Sequence, residues 1–130
     1  MMTRMGGDVI KVLVVDDHAP FRAAVGVLCM ADGGLAVVAE AASVAEALEA
    51  LSADPDLVVL DVNLGGVDGT EGARRIRALR PGLPVVLCST AALSELPPIP
   101  DDPGVTFVPK QNLDAHVLHA WFDRCRQHPG

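Results

Sequence analysis

The chain has 130 residues and a formal net charge of −7; half of its residues are hydrophobic and 21% are charged. That length suits one packed domain, and that composition excludes wholesale disorder. No apolar run approaches the roughly 20 residues that span a bilayer, and the acidic balance excludes a nucleic-acid backbone grip by this domain alone.

Met1 to Asp8 carries no apolar export segment. Cys29, Cys88 and Cys125 show no C-x-x-C spacing. Both features point to reduced thiols and a cytoplasmic protein. Val9 to Val15 is the first apolar run and stops at Asp16-Asp17. Phe21, Val25 and Leu28 then recur at i, i+4 and i+7, predicting a helix that Asp32-Gly33-Gly34 ends. Leu35 to Ala39 is the second run. Ser43-Val44-Ala45-Glu46 matches a capping box, with Val44, Leu48 and Leu51 on one face of a second helix. Leu57 to Leu60 is the third run and ends at Asp61. Ala73, Ile76 and Leu79 predict an inward stripe on a helix from about Thr70 to Arg80, closed by Pro81-Gly82. Val85 to Cys88 is the fourth run and closes on Ser89-Thr90. Val105 to Val108 is the fifth, followed by Pro109-Lys110. Leu113, Val117 and Trp121 mark a last helix, broadened by Leu118 and Phe122.

Runs of Val and Leu without polar alternation are what strands buried on both faces require. Strands alternating with helices imply parallel pairing and right-handed crossovers. The expected fold is therefore α/β, a doubly wound five-stranded parallel sheet over residues 9–126. Residues 1–8 and 127–130 are expected to be loose ends. One segment breaks the rhythm. Pro97, Pro98, Pro100 and Pro103 lie where a fourth helix belongs, so that helix should be absent or shortened to one turn around residues 91–96.

In such a sheet, ligands bind at the carboxyl ends of the strands. The groups ending these strands are Asp16, Asp17, Asp61, Ser89 and Lys110. Crowded carboxylates need a counter-charge, which a hard cation such as Mg²⁺ and a lysine supply. One carboxylate is then left to attack phosphorus. A lone strand-terminal aspartate is usually a cap or turn former, but five such groups on successive strands form a constellation.

The motifs VLVVDDHAPFR, LVVLDVNLGGVDG, PVVLCST and FVPK resemble the receiver domain of two-component response regulators, over about Val9 to Arg126. DDH-x-x-FR and the polar residue after FVPK are most similar to receivers that precede helix-turn-helix (LuxR/NarL-type) output domains. The resemblance implies a flavodoxin-like fold and a phosphoprotein role in signal transduction, without turnover of an external substrate. It makes Asp61 the phospho-acceptor and Asp17 a direct Mg²⁺ ligand, with Asp16 acting through water and Asn63 through its backbone carbonyl. Ser89 becomes the switch hydroxyl, Lys110 the phosphoryl partner and Phe107 the aromatic switch. Asp68-Gly69 matches the turn into the third helix, while Gly65 stands where the family usually has proline. Expected partners are a sensor histidine kinase or phosphotransfer protein, binding near the first helix. The expected state is a monomer, or a dimer through the first helix and the last, fifth helix of the family. Two rival readings are a phosphorylation-independent interaction module and a haloacid-dehalogenase-like phosphotransferase. The latter needs an acid at position 63, which is Asn63.

Remaining features take plainer readings. Arg74, Arg75, Arg77 and Arg80 form a solvated helix face, and His18 is a loop histidine beside the pocket. His116 and His119 are surface residues, and Trp121 and Cys88 belong to the core.

Overall fold

The computed structural model describes residues 8–65, 67–91 and 95–127. The expected loose ends 1–7 and 128–130 lie outside these residues, as do 92–94 of the expected single turn. Strands β1 (Ile10–Val15), β2 (Leu35–Ala41), β3 (Leu57–Asp61), β6 (Val85–Ser89) and β7 (Val105–Pro109) pair in parallel in the order β2-β1-β3-β6-β7. A short antiparallel ribbon of β4 (Asn63–Leu64) and β5 (Val67–Asp68) follows β3. The helices are α1 (Ala19–Asp32), α2 (Val44–Ala50), α3 (Gly69–Leu79) and α4 (Ala115–Gln127).

Each element forms for a local reason. Pro20 opens the first turn of α1, where no backbone donor is needed, and Gly33 closes it in the left-handed conformation. Ser43 caps α2 by accepting from the Glu46 amide, while Glu46 reaches back to the Ala42 amide. Asp68 caps α3 by accepting from the Thr70 amide at 2.8 Å and the Thr70 hydroxyl at 2.6 Å.

The sheet is covered on both sides. Leu13, Leu60, Ile76 and Leu87 belong to a core beneath α2 and α3, and Val14, Val25, Val59 and Leu118 to one beneath α1 and α4. Every residue of β3 and β6 is buried, which accounts for their unbroken apolar sequence.

Five expectations change. Val9 lies outside β1 and is exposed, and β2 extends two residues beyond Ala39, to Ala41. Leu79 does not join the inward stripe: at the last turn of α3 it is 61% exposed, while Ala73 and Ile76 are fully buried. Arg77 leaves the solvated arginine face, with a side chain only 11% exposed. Finally, α4 buries Leu118 and Phe122, whereas Val117 and Trp121 are half-buried, so the ridge facing the sheet lies one residue on from the one expected. Trp121 packs against the core edge, and its indole nitrogen is buried.

Among the described residues no α-helix lies between β6 and β7. Residues 97–102 carry no regular structure, as their prolines dictate. Leu96 and Ile99 from this strap pack against the core on the α3 side, together with half-buried Phe107.

Candidate functional site

The strand order reverses at β1. The chain goes from β1 to β2 on one side, then crosses to β3 on the other. The carboxyl ends of β1 and β3 therefore flank a crevice with no strand connection across it. Asp16 and Asp17 follow β1 directly, and Asp61 ends β3. Register places Asp61 opposite Cys88 and Ser89 opposite Pro109, so Ser89 and Lys110 arrive at the same edge. All five groups line one cleft of about 530 Å³.

Carboxylate oxygens of Asp16, Asp17 and Asp61 lie within 4.8 Å of one another. Asp16 is fully buried, and one of its oxygens accepts from the His18 amide at 2.8 Å. The other lies 2.7 Å from the Lys110 ammonium, which stands 3.8 Å from Asp61. Lys110 is seated over the Phe21 ring at 4.2 Å, so α1 fixes the cation as well as the loop. Arg22 completes that brace, donating to the Asp16 carbonyl at 2.6 Å and to Glu40 at 2.9 Å.

Asp61 is 7% exposed. Burial, then the charge of Asp16, pushes its carboxyl above the usual carboxylate range, against the pull of Lys110. The Asn63 amide donates to Asp61 at 3.3 Å. Gly69 packs so tightly on the Asp61 carbonyl and Val62 that a Cβ would overlap them. Gly65 takes a φ of 61°, and a Cβ there would come within 3.2 Å of Asp17. Proline, locked near −65°, cannot adopt that backbone, which is why this loop departs from the usual pattern. Ser89 is buried, and its hydroxyl oxygen accepts from the Ala91 amide at 2.9 Å. Burial holds the neighbouring Cys88 thiol up at about 12, so it stays protonated and packs as core.

The structure thus brings Asp16, Asp17, Asp61, Asn63, Ser89 and Lys110 together. Phe107 stays outside the cleft, on the face that carries the strap. His18 lines the cleft beside the carboxylates. His116 and His119 form no cluster: His119 bonds Asp32 at 2.7 Å, tying α4 to the end of α1. Sequence reasoning missed Arg22, Phe21, and Glu95 and Pro97, which also line the cleft. Only the tertiary path of α1 and the strap brings these residues to it.

Comparison with known proteins agrees with the geometry. The family model described as "response regulator receiver domain" matches residues 12–112. A putative transcriptional regulator of Pseudomonas aeruginosa is 44% identical over 71 residues, covering 54% of this chain and 34% of its own length. A protein-glutamate methylesterase/protein-glutamine glutaminase of Rhodopseudomonas palustris is 39% identical over 82 residues, 62% of this chain and 22% of its own. The chain thus spans about a third or less of the length of these relatives. Among solved structures, a LuxR-family two-component response regulator from Aurantimonas is 25% identical, with a TM-score of 0.73 over 92% of this chain and 87% of that one. The receiver domain of the putative response regulator NarL from Mycobacterium tuberculosis is 28% identical, with a TM-score of 0.70 over 92% and 98%.

Proposed function

We propose a role for this chain from one premise: it belongs to the response regulator receiver family, whose model covers residues 12–112. Domains of that family act in two-component signalling. Here the role is that of a phospho-accepting receiver in which Asp61 takes the phosphoryl group. The observation that carries the reading is the single cleft that holds three clustered carboxylates, a lysine bridging two of them, and a buried hydroxyl one strand away.

An Asp61 carboxylate oxygen attacks phosphorus of a phosphohistidine or small acyl phosphate. The bond from phosphorus to the donor breaks, and its electron pair leaves with the donor. Lys110 shifts from the shared position between Asp16 and Asp61 to a phosphoryl oxygen. Ser89 accepts from the Ala91 amide and has its own proton to donate to the phosphoryl group. Three carboxylates that bring hard oxygen donors within 4.8 Å of one another suit a hard divalent cation such as Mg²⁺. Asp16, Asp17, Asp61 and the Asn63 carbonyl would hold it, and when bound it neutralises phosphoryl charge. Asn63 has no proton-transfer group, so the position two residues after Asp61 supplies no acid or base for turnover of the haloacid-dehalogenase kind.

The donor would be a sensor histidine kinase or phosphotransfer protein. An apolar cleft lined by Phe21, Ala24, Leu28 and Leu113 opens beside Thr90 and Lys110, where a donor helix could bring its histidine to Asp61. The likeness to LuxR-family regulators extends the proposal to transcriptional control through a helix-turn-helix output domain, with no nucleic-acid contact by the acidic receiver itself. No described helix is long and apolar enough to cross a membrane.

The test is incubation with Mg²⁺ and acetyl phosphate, read by intact mass. Wild type gains one phosphoryl group and Asp61→Asn gains none; a wild type that behaves like the variant would overturn the reading. The strap in place of the fourth helix favours one rival, a phosphorylation-independent interaction module. Under that rival, Asp61→Asn would leave partner binding unchanged.

A further inference from the structure

The strap between β6 and β7 is held at both ends of the sheet. Near the carboxyl end, Glu95 and Pro97 line the same cleft as Asp61 and Ser89. In the middle, Leu96 and Ile99 pack on the core. Near the amino end, Asp102 receives the Arg77 guanidinium in a two-point grip, Nε at 2.8 Å and Nη2 at 2.7 Å. Arg77 also donates to the carbonyls of Pro81 and Leu83, so α3, the turn before β6 and the strap meet at one side chain. The same Asp102 accepts from the Gly104 amide at 2.9 Å, and a Cβ on Gly104 would overlap the guanidinium. Four residues lie between Pro97 and Asp102, and the Asp102 amide donates to the Pro100 carbonyl at 3.0 Å, closing a tight turn just before the Arg77 grip. Residues 95–102 thus pass from the cleft to the Arg77 side chain beside the turn before β6, and their prolines restrict the backbone between these two points.

We infer that Arg77 is a positioning residue for the phosphoryl site: through Asp102 it keeps the strap in place as a wall of the acceptor cleft, limiting the entry of water to phosphorylated Asp61. The inference rests on the phospho-acceptor reading above. In the step it restrains, water attacks phosphorus and the bond to the Asp61 carboxylate oxygen breaks. Inorganic phosphate leaves, a proton passes to solvent, and the carboxylate is restored.

The experiment phosphorylates the whole chain with acetyl phosphate and Mg²⁺, removes the donor and follows decay by intact mass. Wild type, Arg77→Met, Asp102→Asn and the double variant are compared at a temperature at which all are folded. We expect each single variant to decay threefold to tenfold faster, and the double variant no faster than the singles, because both break one contact. Hydrogen exchange should rise in residues 95–104 and stay unchanged in β3. Unchanged decay in folded single variants would overturn the latch while leaving the acceptor reading intact. Additive acceleration in the double variant, or faster exchange throughout the chain, would also overturn it, by assigning the effect to general destabilisation. Failure of wild type to take up phosphate would overturn both. Should Arg77→Met not fold, Asp102→Asn alone decides by the same decay and exchange measurements.

Discussion

At the scale of single residues, folding disfavours the charged form of the Asp61 carboxyl. Burial and the nearby Asp16 raise the proton affinity of Asp61 in the folded chain. A group whose folded-state pKa is raised contributes stability at low pH and loses it as pH rises through that folded-state value. Metal-free protein should therefore lose stability through this group as pH rises above the ordinary carboxylate range. Asp61→Asn removes the charge and with it the loss. We expect the variant to melt above wild type at neutral pH. The gap should close toward about pH 4, near the ordinary carboxylate range. Thermal melts across that range in chelator check it; a variant no more stable than wild type at neutral pH would contradict the assignment.

At the scale of elements, the strap does by side-chain insertion what a helix would do by covering. Two apolar residues, Leu96 and Ile99, reach the core from a backbone that its prolines keep out of a helix. Ile99→Ala should cost about 1–2 kcal/mol, less than a fully buried truncation because the site is half-open. Leu79→Ala, on the exposed end of α3, should stay within about 0.5 kcal/mol. Urea unfolding of both variants tests the contrast. Equal costs would mean that the strap contributes no core.

At the scale of the whole molecule, the cleft exists because the sheet order turns around β1 and sends the ends of β1 and β3 into one crevice. Clustering three carboxylates there is tolerable only with compensation, and Lys110 supplies one positive charge. Mg²⁺ binding to the folded state alone should stabilise it by RT ln(1 + [L]/Kd), about 1.4 kcal/mol at ten times Kd. We expect a melting temperature that rises and saturates at millimolar Mg²⁺, and no rise in Asp17→Asn. A titration by differential scanning calorimetry decides. A metal-indifferent wild type would remove the cation from the site.

The five strands and four helices were legible because their signals are local. Unbroken Val and Leu runs mark doubly covered strands, Ser43 and Asp68 mark helix starts, and prolines forbid a helix over 97–103 wherever they are placed. The pocket was legible because each of its members ends a strand, and parallel strands bring their carboxyl ends to one edge. Arg77 was not. Four arginines on one helix look alike in sequence, and only the return of the chain at Asp102 and the bare backbone at Gly104 single out one of them. Phe21 beneath Lys110 and Arg22 behind Asp16 depend in the same way on where α1 lies across the sheet. Residue type and spacing fixed the elements and their chemistry. Contacts between residues 25 or more positions apart, such as Arg77 with Asp102 and Phe21 with Lys110, were decided only by packing, because sequence spacing carries no signal at that range.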